Sequence, residues 1–149
     1  MADIYAILIF QSIQEIMSIN LNPIQLIIER GEDGLYWGRT NIDDNLLTEN
    51  AATVEELEVK IRQLIYDFHG IEPENVVFEV EYDLETFFEE FDFLNISKIA
   101  KQAGINSSLM RQYASGTKHP GQKQVKKIEE AIRSLGQRLS EVTFTHYSV

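Results

Sequence analysis

Residues 95–120, NISKIAKQAGINSSLMRQYASGTKHP, are the most strongly patterned stretch of this sequence. Asn95 is a suitable cap for a first helix over residues 96–103, and Asn106 is a suitable cap for a second helix. Gly104 stands between them, where a sharp turn needs a left-handed backbone that costs glycine least. The stretch therefore predicts two short helices joined by a tight turn.

Small and apolar residues indicate how these two helices pack. Ala100 is small at the point where the helices must cross closely, and Ile105 follows the turn as an apolar plug for the core. Met110 and Tyr113 are three residues apart, so both anchor the second helix on the first. Together these features are typical of a helix-turn-helix, whose second helix lies in the major groove of DNA.

Polar side chains remain on the outward face of the second helix and in the loop SGTKHP that follows it. Serine, arginine and glutamine near the start of such a helix can reach base edges. A donor-rich loop with a fixed positive charge suits phosphates. The candidate DNA-binding residues are Ser107, Ser108, Arg111, Gln112, Thr117 and Lys118. The alternative for the two serines is capping of the helix.

A further helix is predicted over residues 122–139. Its inward residues recur at helical spacing and are Val125, Ile128, Ile132, Leu135 and Leu139. Its outward cations, Lys123, Lys126, Lys127 and Arg133, are more typical of a solvated surface than of direct DNA contacts.

Charge divides the chain into two parts. Residues 95–149 contain nine Lys or Arg and three Asp or Glu, whereas residues 1–94 contain four and twenty-one. The net charges of about +6 and −17 predict two domains with different partners. Double-stranded DNA is the expected partner of the basic part, because its phosphates attract clustered cations.

The acidic part is predicted to fold as strands around a helix. The run over residues 21–30, the turn GEDG at 31–34 and the run at 35–40 predict a hairpin. Residues 41–45 are rich in Asp and Asn and predict a loop, and residues 46–48 predict a short third strand.

A helix and a last strand complete this domain. Thr53 and Glu56 form a capping box, and Gly70 ends the helix. The predicted buried face consists of Leu57, Ile61, Leu64, Ile65 and Phe68. Residues 76–83, VVFEVEYD, alternate as a strand. The expected fold class is therefore α+β: a small antiparallel sheet covered by one helix, followed by an all-α helix-turn-helix domain.

These elements predict a division of the chain into three parts. Residues 1–20 carry no clear pattern: the alternatives are a short helix that packs on the domain and an added segment ahead of a start at Met17, and we assign them no function. The α+β domain is expected over residues 21–82 and the helix-turn-helix domain over residues 83–149, with a first acidic helix over residues 83–94.

Composition excludes several classes of protein. The chain has no cysteine, which removes disulfides and thiolate metal sites and favours a reducing cytoplasm. The apolar run at residues 4–10 is far shorter than the roughly 20 residues of a membrane helix. The three histidines are isolated, so we expect no metal site. Asp43, Asp44 and Glu49 lie near one loop, but no nucleophile or phosphate loop accompanies them, so we expect neither an enzyme nor a cofactor.

The order of these segments resembles a known family. IIERGEDGLYWGRT, TVEELEVKIRQLIYDF and VVFEVEYD, ahead of a helix-turn-helix, resemble the HicB antitoxins of bacteria and their solitary relatives. The C-terminal part is similar to the Cro/C1-type (XRE) DNA-binding domain, whose pattern is met by Ala100, Gly104, Gly116, Lys118 and Pro120. One departure is NIDDNLLTEN at residues 41–50, where HicB proteins often carry a DLPG-type segment.

The resemblance implies a fold, partners and site residues. It implies a partial RNase H-like fold without nuclease activity, which in antitoxins covers a small basic RNA-cleaving toxin. It implies base contacts by Ser107, Ser108 and Gln112, and backbone contacts by Thr117 and Lys118. We therefore expect a sequence-specific DNA-binding repressor that acts as a dimer on paired half-sites. The alternative is an antitoxin whose main role is to neutralise a small basic RNase toxin, with DNA binding secondary.

Overall fold

The computed structural model describes residues 4–10 and 22–148. The chain divides into two compact units, Met1–Glu81 and Tyr82–Val149. Residues 4–10 are helical (α1), and the rest of the first 20 residues lies outside the described part of the chain.

Unit 1 is built around a four-stranded sheet. The strands are β1 (Ile24–Arg30), β2 (Tyr36–Ile42), β3 (Asn45–Ala51) and β4 (Phe78–Tyr82), in the order β3-β2-β1-β4. β1, β2 and β3 pair antiparallel, as predicted. The sheet as a whole is mixed, so the prediction of a purely antiparallel sheet was wrong. The parallel pair is β1 with β4, since the other two pairs are antiparallel. A long connection that contains a helix precedes β4, and parallel neighbours need such a crossover. The α+β class is confirmed.

The turn between β2 and β3 is tighter than the sequence predicted. Ile42 pairs with Asn45, which leaves only Asp43 and Asp44 between the strands. Both have positive φ, at 49° and 62°, as a two-residue type I′ hairpin requires. The expected loop over residues 41–45 was therefore wrong, because aspartates that usually mark a longer loop also tolerate this backbone.

α2 (Val54–His69) covers one face of the sheet. The Thr53 hydroxyl accepts a hydrogen bond from the Glu56 N–H at 3.2 Å, which confirms the predicted N-terminal cap. Leu57 packs closely on Gly38 of β2, where a Cβ would lie 3.1 Å from the leucine Cδ2. The predicted burial of Phe68 was wrong, because its side chain is 70% exposed. Helical spacing predicts on which side of the helix a residue lies. Burial also requires a neighbouring element that packs against that side.

Unit 2 contains four helices after the end of β4. They are α3 (Leu84–Glu90), α4 (Ile96–Ala103), α5 (Ser107–Ala114) and α6 (Gln122–Ser140). α3 is shorter than the predicted helix over residues 83–94, since the chain turns after Phe91 and the Leu94 N–H donates to the Phe91 carbonyl at 3.0 Å. The predicted inward position of Leu139 was also wrong, because it is 59% exposed in the last turn of α6.

One core holds the four helices together. Its buried residues are Phe88, Ile99, Ala100, Ala103, Ile105, Met110, Tyr113, Ile128 and Ala131. Gly104 has φ of 65°, which confirms the left-handed turn between α4 and α5. The Ile105 N–H closes that turn by donating to the Ala100 carbonyl at 2.9 Å. Of the residues described, no helix is long and apolar enough to cross a membrane.

Candidate nucleic-acid interface

α5 presents one polar face and one buried face. Met110 is fully buried and Tyr113 is 6% exposed, and these two residues fix the helix on the core. The Asn106 side chain caps its N-terminus by accepting from the Ser108 N–H at 2.9 Å. This confirms the predicted cap and leaves the side chains of both serines of the first turn available for other contacts.

The four candidate residues on α5 fall into two pairs four residues apart, which is one helical turn. Ser107 and Arg111 form one pair, and Ser108 and Gln112 form the other. Ser108 and Arg111 are exposed, and Ser107 and Gln112 are half-buried. The structure therefore brings all four together on the side of α5 away from the core.

Arg111 is held by the preceding helix. Its Nη2 donates a hydrogen bond to the Ser97 hydroxyl at 3.0 Å. Ser97 lies in the first turn of α4, beside the exposed Lys98. The guanidinium is thus positioned over the N-terminal end of α4 and is less free to swing toward a base edge. No sequence pattern indicates this pairing, because the two residues are 14 positions apart.

The loop after α5 folds back onto the end of that helix. The Lys118 N–H donates to the Gln112 carbonyl at 3.0 Å. The Ser115 hydroxyl lies 2.8 Å from the Thr117 hydroxyl and 3.3 Å from the Gln112 carbonyl oxygen. Thr117 and Lys118 are both exposed. The residue expected to read bases and the residues expected to meet phosphates are therefore neighbours, joined through backbone and hydroxyl hydrogen bonds.

An acidic side chain also lies against this loop. Gly116 has φ of 69°, and a Cβ built on it would lie 2.8 Å from the Glu85 Cδ and closer still to Oε2. Glu85 is in the first turn of α3, and its carboxylate packs directly on the glycine. The left-handed backbone therefore disfavours any side chain at this position, and a larger residue would also have to displace the Glu85 carboxylate. Sequence reasoning missed Glu85, which looks like any solvated residue of an acidic helix.

The charge of unit 2 is more balanced than the charge of its C-terminal segment. α3 and its flanks add five carboxylates, so residues 82–149 carry nine Lys or Arg and eight Asp or Glu. Lys98, Lys101 and Lys118 are exposed on or next to α4 and α5. On α6, Arg133 lies 3.8 Å from Glu129, a pair exposed enough to be worth little. Any attraction to DNA thus depends on one face of the unit and not on its net charge.

The acidic residues of unit 1 do not form a metal centre in the described structure. Asp43 and Asp44 make the turn between β2 and β3, and Glu49 lies within β3 opposite Gly38. Asp43 instead approaches His69, with 3.8 Å between Oδ2 and Nδ1. Across residues 4–10 and 22–148, no group of three or more His, Asp or Glu side chains is arranged to hold a metal ion.

Comparison of the chain with protein-family models, curated proteins and solved structures found no match.

Proposed function

We propose that this protein is a sequence-specific DNA-binding transcriptional repressor. α4, the turn at Gly104 and α5 would act as a helix-turn-helix of the Cro/C1 type, with α5 entering the major groove. The observation that carries the proposal is the joint between α5 and its loop, where the Lys118 N–H bonds the Gln112 carbonyl at 3.0 Å. This bond fixes the backbone of a proposed base-reading residue relative to the backbone of a proposed phosphate-binding residue.

The proposed roles follow from chemistry and exposure. Ser107, Ser108 and Gln112 would contact base edges, because they share the outward face of α5 and carry donors and acceptors. Thr117 and Lys118 would bind phosphate, since both are exposed at the end of that face. Arg111 lies on the same face of α5 as the proposed base-reading residues, but its proposed role is different. Its bond to Ser97 holds its charge beside α4, which favours a contact with phosphate over a contact with a base.

The proposed repressor acts as a homodimer. A single module of this size covers little DNA, and two modules on half-sites one helical turn apart multiply the affinity. Unit 1 would then serve dimerisation, binding of another partner, or both.

The experiment is titration of the full-length protein onto a fluorescent duplex from its own promoter region. Random duplex serves as competitor, and the titration is repeated at several salt concentrations. Selective binding that weakens steeply with salt supports the proposal. Failure to bind any duplex at low salt contradicts it. A variant carrying both Gln112→Ala and Lys118→Ala is the control, and it should lose preference and affinity together.

The charge of unit 1 favours a second candidate function, neutralisation of a small basic toxin by a HicB-like antitoxin. Residues 22–81 carry fourteen Asp or Glu and four Lys or Arg. Within the unit, Arg39 pairs with Glu29 at 3.1 Å and Arg62 pairs with Glu58 at 2.9 Å. The surplus carboxylates suit a basic partner by complementarity. Co-purification with a small basic protein encoded next to this gene, and loss of its RNase activity on mixing, would support this candidate.

A further inference from the structure

The segment that follows α6 exposes more large apolar surface than its surroundings. Phe144 is 91% exposed, Tyr147 is 89% exposed and Val142 is 50% exposed. Leu139, in the last turn of α6, is 59% exposed. Single exposed apolar side chains are ordinary, but four within nine residues are a concentration that indicates a contact with another molecule.

The backbone of this segment also lacks partners. The Val142 N–H donates to the Leu139 carbonyl at 3.3 Å, and residues 143–148 make no hydrogen bond within the described part of the chain. Its sequence, VTFTHYS over residues 142–148, consists largely of β-branched and aromatic residues. An unpaired stretch of strong strand formers presents a row of free N–H and C=O groups, which is the template for adding a strand.

Alternation along the segment gives the strand two different faces. In an extended chain Val142, Phe144 and His146 would point to one side, and Thr143, Thr145 and Tyr147 to the other. Leu139, three residues before Val142 and in the last turn of α6, is also exposed. A strand formed here would therefore bury its first face against the ends of α6 helices and leave the threonine face toward water.

Charge decides which partner fits this strand. Residues 142–149 contain no Asp, Glu, Lys or Arg, although the chain carries a net charge of −11. A strand without fixed charges lacks the cations that favour DNA phosphates and the carboxylates that favour a basic toxin. Two copies of this chain, each with a net charge of −11, repel each other overall, and a neutral segment adds nothing to that repulsion where they meet.

We propose that residues 142–148 of two copies pair as antiparallel strands and form the dimer contact. A two-fold axis places the same segment of each copy against itself in opposite directions, so one sequence supplies both strands. An isolated pair of strands is marginal in water. The exposed Leu139 of each copy would pack against this pair of strands and bury its apolar face.

Only the role of this dimer rests on the proposed function, because the dimer would present two α5 helices to paired half-sites. The observations on the tail stand without it. The inference adds the surface and the partner that the repressor proposal leaves open.

The test is the self-association constant of the full-length protein, measured by sedimentation velocity over a range of concentrations. Phe144→Thr removes the apolar face and should weaken the dimer at least tenfold. Tyr147→Thr is the matched control, because it removes an equally exposed aromatic from the opposite face, and it should change the constant by less than threefold. A monomeric wild-type protein, or equal effects of the two substitutions, would overturn the proposal.

A second measurement tests direct contact, since the chain has no cysteine. Thr145→Cys should form a covalent dimer quickly under mild oxidation, because paired tails bring the two thiols together. Val59→Cys, at a 66% exposed position of α2, is the control and should cross-link slowly. Equal cross-linking rates would count against the paired tails.

DNA binding by the same variants separates this inference from the proposed function. Phe144→Thr should keep its salt-sensitive binding to random duplex and lose affinity for paired half-sites. If no variant binds DNA but Phe144→Thr still dissociates the dimer, the repressor proposal fails and the tail contact stands. If the wild-type protein binds DNA and Phe144→Thr dimerises normally, the tail contact fails and the repressor proposal stands.

Discussion

Arg111 on α5 donates a hydrogen bond from Nη2 to the hydroxyl of Ser97 on α4, over 3.0 Å. This bond joins the two helices of the proposed helix-turn-helix on their outer side, opposite the contacts of the buried core. It fixes a long side chain that would otherwise lose up to about 2 kcal/mol of rotamer entropy on meeting a ligand. Ser97 therefore pre-positions a charge that the DNA proposal requires.

Replacing Ser97 with Ala should weaken DNA binding roughly three- to tenfold, the equivalent of losing one ordinary hydrogen bond. The effect should vanish when Arg111 is already Ala, because the serine would act only through that side chain. Fluorescence anisotropy on the four proteins of this double-mutant cycle gives the coupling. Additive losses would show that Ser97 does not act through Arg111.

Replacing Gln112 with Ala should relax base preference and leave binding to random DNA largely unchanged. The discrimination lost at one base pair should be roughly 1–3 kcal/mol. The loop should keep its shape, because Lys118 bonds the backbone carbonyl of residue 112 and not its side chain. Competition against single-base variants of the operator measures the preference. Equal weakening on all sequences would reject a role in base readout.

Replacing Lys118 with Ala should weaken binding to every duplex alike and reduce the slope of log K against log salt by about one. Lys126→Ala is the matched control, since Lys126 is exposed on α6 and outside the loop. Its salt slope should stay close to that of the wild type. An unchanged slope for Lys118→Ala would remove this residue from the phosphate contacts.

Replacing Glu85 with Gln should tighten DNA binding roughly threefold at low salt, the size expected for one unit charge several ångströms from a phosphate in water. The gain should shrink as salt rises, because screening shortens the reach of the charge. Asp92→Asn is the control, because it removes the same charge from an exposed residue that lies beyond the end of α3. If both variants gain equally, net charge explains the effect and the contact of Glu85 with Gly116 does not.

Replacing Gly104 with Ala should destabilise the protein by about 1–2 kcal/mol, because the residue has φ of 65° and a Cβ is costly there. Gly136→Ala should have the opposite sign and stabilise by up to about 1 kcal/mol, since Gly136 lies within α6 and alanine is the better helix former. A Cβ at either position meets nothing within 4 Å, so a difference in packing cannot explain opposite effects of the two substitutions. Urea unfolding of the two variants gives the free energies. Equal signs would contradict the backbone explanation.

Local patterns predicted most of unit 2. The caps at Asn95 and Asn106, the turn at Gly104 and the burial of Met110 all follow from neighbours within a few residues, and the structure has each of them. Prediction was weaker where the answer depended on a distant element. Phe68 has the correct spacing for the core and is exposed, because helical spacing cannot say how far the neighbouring sheet extends.

The candidate site shows the same division. The sequence placed its polar residues on one helix face, because positions three and four apart must lie side by side. It could not supply Ser97 or Glu85, whose side chains come from other helices.

The sequence by itself determined the α+β class, the caps, the left-handed turn at Gly104 and the polar face of α5, since these depend on backbone preferences and on spacing along one element. Only the tertiary structure decided the mixed order of the sheet, the bond between Arg111 and Ser97, and the contact of Glu85 with Gly116. The physical reason is that contacts across the fold depend on how whole elements pack. Packing is set by all the buried side chains together and not by the residues that finally touch.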